Sequence, residues 1–285
     1  MLFNLHTHSN FSDGSSPPED YVKEAILQGF DTLGFSDHSP VPFENNFALK
    51  EEKLESYIRV VQDLKNTYSK EKTAAGINIL QSLEIDFIPE VTKPIDYYRI
   101  NPTFDYFIGS VHLVKNLETG KLWFIDGPDI NIYDEGLNET FGGNARKAVT
   151  AYYHQLQEMI LTQHPDIVGH LDKVKMYNRN RFFSEEDRWY VKLVETTMEA
   201  AKHAGCIIEV NTRGIYKKRS ETLFPGPVVL KSILKRKIPV TISSDAHKPD
   251  EISLGFEDAV KTLVEIGFKS VWMKTKDNWK EVAID

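Results

Sequence analysis

Short apolar runs rich in β-branched residues alternate along this chain with longer segments whose apolar positions recur at helical spacing. A short apolar run between polar turns is typical of a buried strand, and a longer amphipathic segment predicts a helix. The predicted strands fall near 2–7, 32–37, 77–87, 105–114, 166–171, 206–211, 239–244 and 270–275. The predicted helices cover about 16–28, 50–70, 145–162, 184–203, 226–236 and 257–266.

Two of these helices carry start or stop signals in the sequence. Pro17 and Pro18 stand at the start of the first helix and Gly29 at its end, which is the asymmetry that helix termini favour. Ser184 and Asp187 have the spacing of a capping box, so we expect a helix to begin there and to run to His203.

The repeated order of strand and then helix predicts an α/β protein with parallel pairing, in a wound or closed sheet. The stretch 115–143 breaks this order and is rich in Asn, Gly and Asp. We interpret it as a loop insertion that covers a substrate, because it directly follows a strand that ends in a candidate ligand. No change in composition marks a linker, so we predict one domain over residues 1–285.

Composition excludes several classes of function. The formal net charge of −8 argues against a general nucleic-acid surface, and it would not attract an anionic substrate unless bound cations changed the local field. Cys206 is the single cysteine, which rules out an intrachain disulfide and fits a reducing compartment. We expect its side chain to be buried in a strand.

The chain opens directly on a strand and no apolar run approaches the ~20 residues of a membrane span, so we expect a cytoplasmic protein.

Imidazole or carboxylate groups stand directly after six of the predicted strands. These strings are His6-Thr7-His8, Ser36-Asp37-His38, Glu84, Gly109-Ser110-Val111-His112, Gly169-His170 and Ser244-Asp245-Ala246-His247. Because the C-terminal ends of parallel strands in a barrel open on one face, residues distant in sequence converge there. By contrast, His154, His164 and His203 fall in helices or in a loop, where we expect them to be surface residues.

The convergent groups indicate a metal cluster. They supply imidazole and carboxylate without thiolate, which suits Zn, Mn or Fe(II). Their number exceeds what one ion uses, so we expect two or three divalent ions that share a bridging carboxylate and a bridging hydroxide. Such clusters lower the pKa of bound water and neutralise the attacking and leaving oxygens, which is the chemistry of phosphoester hydrolysis.

Several of these strings together resemble the PHP (polymerase and histidinol phosphatase) superfamily. The resemblance is closest to its monofunctional histidinol-phosphatase branch, and it extends from residue 2 to about 255. It rests on the six strand-end strings, on Ser12-Asp13-Gly14 after the first histidine pair, and on Glu209-Val210-Asn211-Thr212.

The resemblance implies a distorted TIM-like (β/α)₇ barrel with a trinuclear metal site at the C-terminal ends of its strands. The implied first site is His6, His8, Glu84 and Asp245, with Glu84 bridging to a second held by His112 and His170. The implied third site is Asp13, His38 and His247. Asp13 stands where many members of the branch have His, which leaves the occupancy and metal preference of the third site open. Asp37 either orients a neighbouring imidazole or is a carboxylate satisfied within its own turn.

Candidate substrate contacts lie on two segments that follow predicted strands. Arg213 stands at a rim position and is a candidate to grip phosphoryl oxygens bidentately, with Arg179 and Arg181 as the next candidates. The alternative for each arginine is an exposed loop charge. Glu209 and Asn211 alternate inward and are candidates to recognise an amine or an imidazole, although a carboxylate satisfied inside the barrel explains Glu209 equally.

These observations predict a metal-dependent phosphomonoesterase, and the resemblance implies L-histidinol phosphate as its substrate, in histidine biosynthesis. We expect a metal-bridging hydroxide to attack phosphorus and Arg213 to share the charge, with Asp245 or His247 protonating the leaving alkoxide. Acidic Asp126 and Asp129 in the insertion favour a cationic substrate.

Alternatives are a phosphoesterase for another small ester or for nucleic acid, and a non-catalytic metal-binding module. The lack of a basic track disfavours a nuclease, and the complete ligand set disfavours the module.

Overall fold

The computed structural model describes residues 2–69 and 76–284 and shows an α/β fold with parallel sheets. Its helices are α1 (Pro18–Leu27), α2 (Leu54–Tyr68), α3 (Ile95–Arg99), α4 (Ile130–Phe141), α5 (Ala145–Gln163), α6 (Arg188–Ala204), α7 (Arg213–Tyr216), α8 (Pro227–Arg236) and α9 (Phe256–Ile266). Its strands are β1 (Leu2–Asn4), β2 (Phe30–Phe35), β3 (Asn78–Gln81), β4 (Glu84–Asp86), β5 (Ile108–Ser110), β6 (Leu113–Lys115), β7 (Leu122–Phe124), β8 (Ile167–Val168), β9 (Ile207–Asn211), β10 (Val240–Ser243), β11 (Ser270–Lys274) and β12 (Trp279–Ala283).

Two parallel sheets position the strand ends. One has the order β1-β2-β3 and the other the order β10-β9-β8-β5-β4. Two isolated parallel bridges connect them, one between Thr7 and Ala246 and one between His38 and Glu84. The residues that follow β1 and β2 therefore lie directly beside residues of the larger sheet.

The predicted strand at 77–87 is divided in two. β3 pairs with β2, whereas β4 pairs with β5, and the chain changes partner at Ser82 and Leu83. The backbone N–H of Ser82 donates to the carbonyl of Phe35 at 2.7 Å, which holds this break against the end of β2. Glu84 is thereby carried to the place where the two sheets meet.

The predicted strand at 270–275 forms, but it does not extend the parallel series. As β11 it pairs antiparallel with β12, in a two-stranded sheet of its own. The chain reverses between them through a turn in which the Thr275 N–H donates to the Asn278 carbonyl at 2.8 Å. Because of this turn, β11 pairs with the next strand in sequence and does not join a parallel sheet.

The interpretation of 115–143 as a loop is wrong, because most of this stretch has regular structure. β6 and β7 form an antiparallel hairpin, and α4 follows. Trp123 is fully buried, and its indole Nε1–H donates to the Tyr133 carbonyl at 2.9 Å. The Asp and Gly residues that suggested a loop end the helix instead, since the Asp129 side chain caps its start and Gly142 adopts a left-handed conformation at its end.

Other local predictions have mixed outcomes. α1 begins at Pro18 and Gly29 follows it with positive φ, as expected. Around Ser184 one of the two contacts of a capping box forms, because its N–H donates to Asp187 Oδ2 at 3.1 Å. The Ser184 hydroxyl accepts from the Glu186 N–H instead of the Asp187 N–H, and the helix itself begins only at Arg188. Cys206 is buried, and burial raises the pKa of its thiol to about 12. The other histidines outside the strand ends are exposed, as predicted: His154, His164 and His203.

Candidate metal centre

The structure brings all nine candidate ligands together, and most of them lie just beyond the end of a parallel strand. His6 and His8 follow β1, His38 follows β2, Glu84 begins β4 and His112 follows β5. The remaining ligands follow β8 or β10, or lie in the turn after His8: His170, Asp245, His247 and Asp13. The ring and carboxylate atoms converge because the two sheets meet at these residues.

Four groups of donor atoms have their atoms within 4.8 Å of one another, and three of them consist of predicted ligands alone. The fourth joins His38 and His112 through Asp86. The first group is His6, His8 and Asp245, in which His8 Nε2 lies 3.3 Å from Asp245 Oδ1. Glu84 Oε2 lies 3.3 Å from His6 Nε2 and 3.5 Å from His8 Nε2. The first group therefore has four donor residues around one point.

The second group is Glu84, His112 and His170. The other oxygen of Glu84, Oε1, lies 3.0 Å from His170 Nε2 and 3.6 Å from His112 Nε2. Glu84 thus presents one oxygen to the first group and one to the second, which is the arrangement that a bridging carboxylate requires.

The third group is His8, Asp13, His38 and His247. Asp13 Oδ2 lies 3.1 Å from His247 Nε2, and Asp13 Oδ1 lies 3.6 Å from His8 Nδ1 and 3.9 Å from His38 Nε2. His8 faces the first group with one ring nitrogen and the third with the other. Asp13 is the most exposed of these residues, so the third group lies nearest to solvent.

The donor set fits divalent metal ions. Four buried ring nitrogens lack a hydrogen-bond partner, namely Nε2 of His6, both nitrogens of His8 and Nδ1 of His170. Buried polar atoms normally have partners, so nitrogens left over in this way point to a ligand. Imidazole and carboxylate without thiolate suit Zn, Mn or Fe(II).

Protonation in the centre follows from burial and from neighbouring charges. Burial, together with the neighbouring His247, lowers the pKa of His8 to about 3, so this imidazole is neutral and keeps its lone pair for a ligand. Burial opposes ionisation of Glu84, but the adjacent His6 holds the pKa of that carboxyl well below its usual range. Glu84 is therefore an ionised carboxylate despite its complete burial.

Carboxylates behind the ligands orient their rings. Glu209 Oε1 lies 2.6 Å from His6 Nδ1, and its other oxygen accepts the His170 N–H at 2.8 Å. Asp86 accepts from ring nitrogens of both His38 and His112. Contacts of this kind fix the tautomer and direction of a ligating imidazole.

The Asp37 carboxylate bonds to the turn that follows His8, and among the described residues its hydrogen-bond partners include no imidazole. Its two oxygens accept from the backbone N–H groups of Ser9 and Ser12 and from both hydroxyls, at distances between 2.6 and 3.1 Å. Of the two alternatives for Asp37, the satisfied turn carboxylate is the one that the structure shows. Its role is to hold the turn that carries Asp13 beside His8.

A cavity of about 240 Å³ opens beside the second and third groups and combines donors, cations and aromatic surface. It is lined by Asp13, His38, Asn46, Phe47, His112, Phe124, Asp126, Pro128, Arg213, Arg219 and His247. Arg213 is anchored there by its Nη1, which donates to the Asp245 carbonyl at 2.8 Å and to the Tyr216 hydroxyl at 3.2 Å. Arg213, the predicted phosphate contact, therefore lies beside the candidate metal ligands.

Comparison with known proteins agrees with this geometry. The family model described as "PHP domain" matches residues 4–213. The chain belongs to the PHP domain family.

Relatives and solved structures extend this assignment. A protein of Deinococcus radiodurans named "Probable histidinol-phosphatase" is 27% identical over 274 residues, covering 95% of each chain. The "Histidinol-phosphatase" of Bacillus subtilis is 26% identical and covers 88% of this chain and 96% of its own. A crystal structure of histidinol phosphate phosphatase from Lactococcus lactis, complexed with zinc, L-histidinol and phosphate, superposes with a TM-score of 0.70 at 19% identity over 98% of both chains. This PHP domain therefore shares its fold with that enzyme.

The structure does not bring Arg179 or Arg181 into the cavity of this PHP domain. Arg179 is exposed, and Arg181 forms a bidentate pair with Asp134 at 2.7 and 2.8 Å on the outer surface. Neither arginine lines the cavity, so the site geometry gives no support to a substrate contact for either one. The alternative of an exposed loop charge applies to both.

Glu209 and Asn211 are fully buried behind the ligands rather than facing the cavity. Asn211 Nδ2 donates to Glu209 Oε2 at 3.1 Å and to Asp245 Oδ2 at 3.2 Å. Since Glu209 is occupied by His6 and by the His170 N–H, neither residue has free hydrogen-bonding capacity for a substrate. Neither residue lines the cavity, so their part in recognising an amine stays a prediction of the sequence, and their contacts are with candidate metal ligands.

Sequence reasoning missed several residues of the site. Asp86 is two positions after Glu84 on the same strand, so the two-residue period that pairs His6 with His8 could have found it. Lys173 is almost completely buried, with its Nζ 2.6 Å from Asp126 Oδ2. Arg219, Phe47 and Phe124 also line the cavity, but no spacing in the sequence distinguished them from loop residues.

Across residues 2–69 and 76–284, every helix falls short of the length and apolar character that crossing a bilayer requires.

Proposed function

We propose that this PHP domain is a metal-dependent phosphomonoesterase that hydrolyses L-histidinol phosphate to L-histidinol and phosphate. The observation that carries the proposal is the cavity itself, in which residues of the second and third donor groups lie beside the guanidinium groups of Arg213 and Arg219. Relatives named histidinol-phosphatase, which match nearly the whole chain, support the choice of substrate.

We assign the nine ligands to two or three divalent ions, with zinc, manganese and iron as candidates. The first ion would be held by His6, His8, Glu84 and Asp245, the second by Glu84, His112 and His170, and the third by Asp13, His38 and His247. Bound ions of this kind acidify a water molecule and offset the negative charge of a phosphoryl group. Asp13 in place of a histidine gives the third site one more negative charge, which favours a harder ion there.

The cations of the cavity would bind the phosphoryl oxygens. Arg213 is pre-oriented by the Asp245 carbonyl and by Tyr216, so little side-chain entropy is lost when its free nitrogens bind an anion. Arg219 reaches the same cavity and lies 3.9 Å from Asp126 Oδ1. Lys173 adds a third positive charge behind Asp126. These residues counter the overall negative charge of the protein at the point where an anion must bind.

The two candidate proton donors differ in their surroundings. Burial opposes ionisation of Asp245, but His6 and Arg213 hold the pKa of its carboxyl well below its usual range. Asp245 therefore stays ionised and is a poor proton donor. His247 lines the cavity, with its Nδ1 3.0 Å from the Asp245 carbonyl and its Nε2 3.1 Å from Asp13 Oδ2 in the third group. It can therefore protonate a leaving alkoxide only when the third site holds no ion.

The apolar part of the cavity would receive the organic end of the substrate. The rings of Phe47 and Phe124 stack with their planes 15° apart, and Phe47 packs edge-on against His38. This pair joins the segment after β2 to the hairpin of the insertion above the site. An aromatic surface beside cation-binding and anion-binding groups suits an imidazole-bearing phosphate ester.

We also propose that the parallel strands close into the distorted seven-stranded barrel that the family resemblance implies. The Thr7–Ala246 bridge is supported on both sides by hydrogen bonds, from the His8 N–H to the Ala246 carbonyl at 2.8 Å and from the Ala246 N–H to the His6 carbonyl at 3.2 Å. With the His38–Glu84 bridge, the order β1-β2-β4-β5-β8-β9-β10 returns to β1.

Cytoplasmic localisation stays a prediction of the sequence.

The test is release of inorganic phosphate from histidinol phosphate, compared with phenyl phosphate, nucleotides, sugar phosphates and an oligonucleotide. The protein is first reconstituted with Zn, Mn or Fe(II). We expect histidinol phosphate to be the preferred substrate, and the double variant His6→Ala with Glu84→Ala to be inactive. The surface variant His154→Ala is the matched control and should keep wild-type activity. Equal turnover of phenyl phosphate would contradict the proposed specificity, and full activity of the double variant would contradict the metal mechanism.

A further inference from the structure

Asp86 is a buried carboxylate that contacts imidazoles of two different metal groups. Its Oδ2 lies 3.0 Å from Nδ1 of His38, and its Oδ1 is hydrogen-bonded to Nδ1 of His112. His38 belongs to the third group and His112 to the second. We propose that Asp86 is a positioning residue that sets the tautomers of both imidazoles at once and so links the second and third metal sites.

The argument starts from what an ionised carboxylate can do in a hydrogen bond. Both oxygens of Asp86 are acceptors only, and the side chain is fully buried. Each Nδ1 that faces it must therefore carry the proton. A neutral imidazole protonated on Nδ1 has its lone pair on Nε2, so both rings are held ready to ligate through Nε2.

The positions of the two Nε2 atoms agree with ligation of both rings through Nε2. His112 Nε2 lies 3.1 Å from His170 Nε2 and 3.6 Å from Glu84 Oε1, inside the second group. His38 Nε2 faces Asp13 Oδ1 at 3.9 Å, inside the third group. One carboxylate thus supports one ligand at each of two neighbouring sites.

The two imidazoles do not depend on Asp86 equally. His38 Nδ1 also lies 3.1 Å from Glu84 Oε2, which offers it a second acceptor. His112 Nδ1 has its short contact with Asp86 alone among the hydrogen bonds of the described residues. If Asp86 could accept only one of the two Nδ1–H groups, we expect it to keep the hydrogen bond from His112.

The variant Asp86→Asn leaves a side chain that can accept only one of the two Nδ1–H groups, with almost no change in its shape. The amide has one accepting oxygen, while its NH₂ group can only donate, so it satisfies one Nδ1–H and opposes the other. We expect the oxygen to stay with His112 and the NH₂ group to face His38. His38 then either turns toward Glu84 or takes the Nε2–H tautomer, and in both cases its Nε2 is lost to the third site.

The inference rests on the proposed metal centre and is independent of which ester is hydrolysed. Its test is zinc content per chain by mass spectrometry, measured against a graded series of free zinc concentrations. In Asp86→Asn we expect the affinity of one site to fall about 10–100-fold, the usual effect of losing an outer hydrogen bond to a ligand. Asp105→Asn is the matched control, because Asp105 accepts the Gln81 N–H and pairs with Lys65 outside the metal centre.

A second measurement reports the tautomers directly in the wild-type protein. In zinc-loaded protein labelled with ¹⁵N-histidine, we expect both His38 and His112 to carry their proton on Nδ1, with signals assigned through His38→Gln and His112→Gln. A proton on Nε2 of either ring would overturn the proposal, even if Asp86→Asn failed to fold. Equal zinc affinity of Asp86→Asn, Asp105→Asn and wild type would overturn it as well.

Discussion

Nζ of Lys173 lies 2.6 Å from Oδ2 of Asp126, in a buried ion pair that touches the metal centre. The lysine side chain is only 4% exposed, and its next carboxylate is Asp245, whose Oδ2 is 3.9 Å away. Arg219 approaches the other oxygen of Asp126, also at 3.9 Å. Burial opposes the positive charge on Lys173, but Asp126 raises the pKa of its ammonium group, so the residue stays charged. A fixed cation is thus held one side chain away from the cavity.

We expect Lys173→Met to weaken phosphate binding. Lys173 acts on a bound anion through its charge, because Asp126 lies between the lysine and the cavity. Two unit charges about 8 Å apart in an effective dielectric constant of about 20 interact by about 2 kcal/mol, which corresponds to roughly a 30-fold loss. The inhibition constant of inorganic phosphate and the KM of histidinol phosphate should rise together. Steady-state kinetics with phosphate as a competitive inhibitor measures both.

Lys175→Met is the matched control for this prediction. Lys175 is equally buried, two residues further on, but its partners are Asp172 at 2.7 Å and Glu185 at 3.2 Å, outside the cavity. Breaking either buried pair costs about 3–5 kcal/mol of stability. Both variants should therefore unfold at lower temperature, and only Lys173→Met should lose phosphate affinity. An equal rise in the phosphate inhibition constant in both variants would show that the effect is structural.

Two arginines that the sequence offered as phosphate contacts, Arg213 first and Arg181 after it, should behave differently. Arg213→Ala removes a guanidinium that lines the cavity and should lower kcat/KM by about 100-fold or more, as loss of a fixed donor at a reacting centre does. Arg181→Ala removes an exposed pair with Asp134, worth about 0–1 kcal/mol, and should change kcat/KM by less than about twofold. The same phosphate-release assay measures both variants. A large loss of activity in Arg181→Ala would return that residue to the site.

The convergence of the candidate metal ligands could be predicted from the sequence because most of their positions follow from a simple rule of folds. Parallel strands end on one face, so His6 and His170 had to meet if their strands were assigned correctly. Glu84 reaches the same place for another reason, since it begins β4 after the chain changes strand partner. The two-residue spacing of His6 and His8 added the direction of the side chains. Even β8, which is only two residues long, carries His170 to the right place.

The substrate side of the site could not be predicted in the same way. Lys173, Arg179 and Arg181 all follow the same strand, and their order in the sequence does not say which one turns inward. The short helical turn Lys173–Lys175 buries the first, while the next two lie beyond it on the surface. Likewise, Phe124 reaches the cavity only because 113–124 folds into a hairpin, whose Gly and Asn content resembled a loop.

Phe124 should determine substrate preference more than rate. Its ring stacks on Phe47 across the cavity, with ring centroids 6.0 Å apart. Phe124→Ala loses an aromatic contact worth about 0.5–1.5 kcal/mol, so we expect KM for histidinol phosphate to rise roughly 2–10-fold with little change in kcat. KM for acetyl phosphate, which has no ring, should not change. The control is Phe182→Ala, since Phe182 packs under Arg181 on the outer surface.

Chelation should destabilise the fold as well as abolish activity. The carboxylates of Asp13, Glu84 and Asp245 all lie around His8, at 3.6, 3.5 and 3.3 Å from its ring nitrogens, and bound cations would offset their mutual repulsion. At a free concentration 1,000 times its Kd, an ion bound only by the folded state contributes about 4 kcal/mol. Since about 1 kcal/mol shifts the Tm of a protein of this size by roughly 2–4 °C, removal of one ion should lower Tm by roughly 10 °C.

Thermal unfolding with and without a chelator measures this effect, and adding back zinc or manganese should restore the Tm. A Glu84→Ala variant loses the carboxylate shared by the first and second groups, so its Tm should respond much less to the chelator. Asp105→Asn, which leaves the centre intact, should respond as the wild type does. If metal analysis shows that the wild-type ions have been removed while its Tm is unchanged, the nine residues do not depend on cations for their arrangement. The buried imidazole nitrogens of His6 and His8 would then need another partner.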